Sequence, residues 1–296
     1  MFGKIFPEQL HGHRMALVPQ MSSRTEREKP SLSLLRISGR FWFIIFLAGQ
    51  LAFFYYLVSF YGLPLVVGDI STWNSNPLLR SRPSVPGESF STAMFGMHAL
   101  GATIIAFGGG LQLIPIVRRK APTFHRWNGR VFLVTVTALS LTGLYLVWVR
   151  GPIPVPIYDS PLSVNGLLIL SFSALTVKHA ISRKIDVHER WAMRLLLVAN
   201  AQWFLRIGVF GYLATSQMTG RQPSFEEDPF IQFWQWGCFL MPLAGLQIYW
   251  WAGNYGNAFV QRLTAASIVL VTAVMGAGIF AYAQVSQSII ENALVS

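Results

Sequence analysis

The chain has 296 residues, of which 53% are apolar and only 12% charged, and its mean hydropathy is +0.45. Soluble chains carry about a quarter charged residues, so this one lacks the polar surface to cover a water-facing domain and belongs in a bilayer. The net charge of +11 does not indicate a nucleic-acid partner, because the positive residues fall in short connections between apolar runs, where they set topology and meet anionic lipid headgroups.

Residues 1–40 are polar, basic and poor in apolar side chains, which predicts a flexible N-terminal tail at the membrane surface. No small-residue cleavage site follows the first apolar run, so a removed signal peptide is not expected. The rest, residues 41–296, reads as one transmembrane helical domain. A hydrocarbon core of about 30 Å takes about 20 helical residues, and about seven segments are that long: 41–63, 92–117, 131–149, 162–182, 191–215, 230–252 and 263–285. The connection 64–90 is full of turn residues and the one beginning "RGPIPVPIYDSP" is proline-rich, so neither is expected to be regular. The fold class is therefore an all-α polytopic bundle, with core hairpins over 92–215.

Orientation follows from the basic residues. Counted over alternate connections, 18 lysines and arginines fall on the side of the N-terminus and four on the other. This bias places the N-terminus in the cytoplasm and the C-terminus outside, in a plasma or bacterial inner membrane. The single cysteine, Cys238, allows neither an internal disulfide nor a cysteine-rich metal cluster.

Two related strings precede apolar runs: "PTFHRWNGRVF" at 122–132 and "DVHERWAMRLL" at 186–196. In the first, His125 and Arg126 are followed by Trp127, Gly129 and Arg130; in the second, His188 is followed by Trp191 and Arg194. With the basic clusters before them, they suggest two parallel helical hairpins related by an axis along the membrane normal. Asp186 with Glu189, and Thr123, are positioned to cap the two helices. Both histidines would then occupy the second helical position, where the helix dipole favours a neutral ring. Arginine and tryptophan at a membrane boundary are also ordinary anchors.

Polar residues at depth are rarer, because placing charge there costs several kcal/mol. Arg206 and His98 fall in the outer half of their spans. If residues 188–206 form one straight helix, His188, Gln202 and Arg206 share a face. His98 and Gln112 share another, beside the close-approach sequence Gly108–Gly110. His98, Gln112, Gln202 and Arg206 are the candidate ligand-binding residues. No acidic residue lies well inside a span to neutralise Arg206, and no broken helix is expected.

The strings "MHALGATIIAFGGGLQLIPIVRRKAPTFHRWNGRVF" and "HERWAMRLLLVANAQWFLRIG" resemble the multi-pass membrane proteins grouped as "domain of unknown function 2306". The resemblance covers roughly residues 95–210 and falls on His98, His125, Arg126, Gly129, Arg130, His188, Trp191, Arg194 and Arg206. It implies no activity. A looser likeness to the four-helix core of cytochrome b561 implies haem b, with His125 and His188 as an axial pair. That likeness lacks a second histidine pair, since His98 and His179 belong to opposite ends. Three functions stay open: binding or transport of a small anionic or quinone-like molecule, b-type haem electron transfer, and a structural or accessory role. Hydrolase and P-loop motifs are absent from the sequence.

Overall fold

The computed structural model describes residues 30–76, 83–149, 159–221, 223–224 and 227–295. They form an all-helical bundle. In chain order these are α1 (Pro30–Leu57), a π-turn (Val58–Gly62), α2 (Leu63–Val67), a 3-10 turn (Ile70–Ser75), α3 (Ser89–Gln112), α4 (Pro115–Lys120) and α5 (Pro122–Trp148). Then come α6 (Asp159–Ile181), α7 (Ile185–Ala199), α8 (Ala201–Met218), α9 (Pro229–Tyr255) and α10 (Ala258–Val295). Among the described residues, five helical rods are long and apolar enough to cross a membrane: Pro30–Val67, α3, α5, α6 and Ala258–Ala293. The pair α7 and α8, bent by 48°, makes a sixth if it is one span. The run 230–252 falls in α9, where tryptophan, tyrosine and glutamine dilute the aliphatic content.

Differences from the sequence expectations have local causes. The flexible tail was expected to reach residue 40, but α1 starts at Pro30, and Leu35 is buried against Ala252 and Ala265. The tail residues 1–29 and the proline-rich stretch 150–158 lie outside the described residues. The expected straight helix through 188–206 breaks at Asn200, whose side-chain amide donates to the Leu196 carbonyl at 2.8 Å. A side chain that takes a backbone acceptor competes with the helical ladder. The chain resumes as α8, with the N–H groups of Trp203 and Phe204 both donating to the Asn200 carbonyl.

The capping expectations also fail. Residues 121 and 184, not Thr123 and Asp186, occupy the cap positions, and neither contributes a side-chain hydrogen bond. Pro122 is already suited to a first helical turn and starts α5 one residue before Thr123. Glu189 turns away to pair with Arg118 of α4. His125 and His188 therefore each sit at the fourth helical residue, where the backbone N–H already donates to the carbonyls of Ala121 and Lys184.

Helices α3 and α5 form one hairpin and α6 and α7 the next, with α1, α8 and α10 packed on the other side of the core. The three consecutive glycines of α3 each face a different neighbour. A Cβ at Gly108 would stand 3.0 Å from Asn128 on α5, one at Gly109 2.8 Å from Leu196 on α7, and one at Gly110 2.4 Å from Leu47 on α1. Small residues let helices approach where side chains would separate them. Gly108–Gly110 is thus the point where α3 fits among three other helices.

Candidate functional site

The polar residues divide into two groups. One is at the end of the bundle where α1, α5 and α7 begin and α3, α6 and α9 finish, which is the basic end. The other is in the interior, nearer the opposite end.

At the basic end, Gln112 closes α3 by donating to the His125 carbonyl at 3.1 Å, with its amide oxygen 3.4 Å from where a Gly129 Cβ would be. His188 donates from Nδ1 to the Thr176 carbonyl at 3.0 Å. His125 Nδ1 is buried without a partner. Arg126 donates to the Thr123 hydroxyl at 3.2 Å. The motif tryptophans and arginines pair along their helices: Arg130 lies over Trp127 at 4.9 Å, and Arg194 over Trp191 at 4.6 Å. In both strings the spacing is tryptophan then arginine three residues on, which puts the two side chains on one helix face. Arg118, whose charge acts on His125, pairs with Glu189 beside His188. That ion pair ties α4, just before α5, to the first turns of α7, and His188 itself lies close enough to act on His125. Among the described residues, no three histidines, cysteines or acids are grouped to hold a metal ion.

In the interior, Arg206 is half-buried on α8. Its Nη1 donates to the Gln202 carbonyl one turn earlier at 2.9 Å, and its guanidinium lies over the Phe53 ring of α1 at 5.6 Å. Among the described residues no carboxylate pairs with it. Its charge acts on His98 of α3, on Tyr56 and Tyr61, and on Tyr282 of α10. His98 sits against Gly143 with Nδ1 3.2 Å from the Thr142 hydroxyl. That hydroxyl has the Ala138 and Leu139 carbonyls as acceptors for its own hydrogen, at 2.9 and 3.2 Å, which leaves His98 Nδ1 as the donor to it.

The structure thus brings His98 within electrostatic range of Arg206, with the Gln202 backbone carbonyl on the guanidinium, and leaves Gln112 at the basic end. Fourteen residues separate His98 from Gln112 along α3, about 21 Å of helix. The bend at Asn200 removes the common face expected for His188 and Arg206.

Gln50, Tyr56, Tyr61 and Asn76 of the interior group were not singled out from the sequence, whereas Trp203 was expected beside Arg206. Gln50 of α1 is 2% exposed, and neither its amide oxygen nor its nitrogen has a hydrogen-bond partner. It lies one turn before Phe53, the ring under Arg206. Trp203, 1% exposed and one turn before Arg206 on α8, has an unpaired indole N–H. A buried polar group without a partner costs about 1–3 kcal/mol. The signal for Gln50 was in the sequence: it is the polar residue in the middle of "FLAGQLAFF".

Tyr56 and Tyr61 are not legible together from spacing, since five residues turn an α-helix to positions about 140° apart. The π-turn, closed by the Leu63 N–H donating to the Val58 carbonyl, alters that phase. Both hydroxyls accept from the amide nitrogen of Asn76 at 2.9 Å. Asn76 belongs to the connection expected to be irregular, of which Ile70–Ser75 form a 3-10 turn that, with Asn76, packs back on the bundle as a plug. Trp73 packs between Tyr61 and Phe95, is 2% exposed, and donates to the Tyr61 carbonyl at 3.2 Å. A separate shallow groove of about 500 Å³ runs between α5 and α6 along Leu133, Leu170 and Val177. None of the interior group lines it.

A family model described as "Predicted membrane protein (DUF2306)" matches residues 95–250. No curated protein and no solved structure matches the chain.

Proposed function

The chain belongs to the DUF2306 family of predicted membrane proteins, and from that premise we propose that it binds a small molecule bearing an anionic or carbonyl oxygen around Arg206. The observation that carries this reading is a guanidinium inside a helical bundle with no carboxylate paired to it among the described residues. Of the five N–H donors of a guanidinium, one reaches the Gln202 carbonyl. The guanidinium makes no other hydrogen bond among the described residues, and a charge away from water is tolerated when a counter-charge or strong acceptor meets it.

The neighbours suit such a ligand. The Phe53 ring lies under the guanidinium, whose charge acts on Tyr56, Tyr61, Tyr282 and His98. Gln50 adds an amide with both a donor and an acceptor unused. Ligand sites are commonly apolar cavities with a few polar groups of this kind. With the N-terminus in the cytoplasm, as the basic residues favour, this region lies in the outer half of the membrane.

Transport is favoured over static binding by the bend of 48° between α7 and α8. Interrupted helices supply backbone groups to substrate in many transporters, and give the segments on either side a place to pivot.

The test uses purified protein in detergent and two probes, a short-chain quinone and octanoate, with thermal stabilisation as the readout. Wild type is expected to be stabilised by at least one probe, and Arg206→Leu by neither while remaining helical and monodisperse. If neither probe stabilises wild type, the ligand classes are wrong. Equal stabilisation of Arg206→Leu would move the site away from Arg206.

A further inference from the structure

At the basic end, Arg190 and Arg194 form an arrangement that anchoring alone does not require. They lie one turn apart on α7, and both guanidinium groups stand over the ring of Trp250 on α9, at 5.8 and 5.1 Å from its centroid. Arg194 is also 4.6 Å from the Trp191 ring, and its Nη2 donates to Gln247 Oε1 at 3.0 Å. Flanked by two indoles, the Arg194 fork is held in orientation and keeps N–H groups along its edge.

The charges around it do not cancel. Arg190 acts on Arg194 as one cation on another. Glu189, the acid nearest them in sequence, is paired with Arg118. Neither arginine pairs with a carboxylate among the described residues. Two more basic residues, Arg36 and Arg40 of α1, act on Tyr249, the neighbour of Trp250. In the first string, by contrast, Arg130 stands over Trp127 of its own helix.

Two guanidinium forks converging on one indole match an anion with several oxygens. Arginine meets phosphate oxygens through paired, charge-assisted hydrogen bonds, and a phosphate has enough oxygens to serve two forks at once. The same stretch of α9 supplies apolar surface, since Ile248 is 53% and Trp251 52% exposed. A headgroup seated on the arginines would have its acyl chains beside such side chains.

We infer that Arg190, Arg194 and Trp250 form a site for the phosphate of an anionic membrane lipid. The site is independent of the Arg206 region, and neither depends on the other being right.

Native mass spectrometry of protein in mixed micelles of phosphatidylglycerol and phosphatidylcholine tests it. Wild type is expected to retain one phosphatidylglycerol in preference to phosphatidylcholine. The double variant Arg190→Gln/Arg194→Gln is expected to lose that lipid by roughly tenfold or more in affinity. Arg119→Gln, at an exposed residue of α4, controls for general loss of positive charge and is expected to behave as wild type. Equal retention by the double variant, or equal retention of the two lipids, would overturn the assignment. Inorganic phosphate is the second arm: displacement of the lipid by phosphate at millimolar concentration would show that the free anion suffices, and would overturn the lipid assignment. Should the double variant not fold, Arg190→Gln alone is expected to weaken phosphatidylglycerol binding several-fold, and unchanged binding would count against the site.

Discussion

Gly211 of α8 and Gly278 of α10 meet backbone to backbone: a Cβ on Gly211 would stand 3.2 Å from the Gly278 Cα. A Cβ on Gly278 would come within 2.4 Å of the Ile207 carbonyl oxygen, the residue after Arg206. A backbone atom cannot rotate away as a side chain can. Gly278→Ala is therefore expected to push α8 and α10 apart and to destabilise by about 1–3 kcal/mol, read as a lower thermal midpoint in detergent. Gly276→Ala, where a Cβ would meet nothing within 4 Å, is the control and should not lower the midpoint. Similar midpoints for the two variants would show that this crossing yields easily.

The glycine run of α3 gives a ranking. At Gly109 a Cβ would press on two groups at once, Leu196 at 2.8 Å and the Phe132 ring at 2.9 Å. At Gly110 the obstacle is the tip of one leucine, Leu47, which can change rotamer. Gly109→Ala should destabilise more, by about 1–3 kcal/mol, and Gly110→Ala less. The reverse order in thermal unfolding would show that the leucine at Gly110 is the more confined neighbour.

Asn76 holds the plug by donating to the hydroxyls of Tyr56 and Tyr61. Asn76→Leu removes both bonds within a buried region, and the expected loss is about 1–3 kcal/mol. Its signature is local. Amide hydrogen exchange should rise over residues 70–76 and stay unchanged in α5 and α6. Unchanged exchange over 70–76 would mean that Trp73 alone keeps the plug seated.

Asp228, which caps α9, responds to pH with a defined sign. Burial works against its carboxylate, but the Tyr212 hydroxyl, the N–H groups of Phe230 and Ile231, and Arg221 together hold its carboxyl below the usual range. A depressed folded-state value means that the stabilisation is present above the unfolded value, near 3.9, and is lost as pH falls through the folded one. Asp228→Asn keeps a capping side chain and removes the charge. Wild type should be the more stable of the two at pH 7, and the gap should narrow below about pH 4. A gap that widens in acid would contradict this sign.

The membrane class, the helical content and the approximate position of each apolar helix were legible in the sequence. Hydrocarbon thickness sets helix length, and lipid excludes unpaired backbone, so composition and run length suffice for those features. Family membership was legible as well, through His98, the two histidine–tryptophan–arginine strings and Arg206. Tryptophan and arginine three residues apart make contact within one helix, and a pair so local follows from periodicity.

What needed the tertiary structure were the features that depend on departures from periodicity or on contacts between distant segments. Asn200 ends α7 because its amide takes a backbone acceptor, and that single bond removes the face predicted to join His188 to Arg206. The π-turn at Val58–Gly62 changes the phase that would otherwise separate Tyr56 from Tyr61. Asn76 reaches those tyrosines from a connection whose composition suggested only turns, and Trp250 reaches Arg190 and Arg194 from another helix. Hydropathy sums one segment at a time. The surroundings of Arg206 and of the Arg190–Arg194 pair arise between segments, where helix crossings and individual hydrogen bonds set which side chains meet.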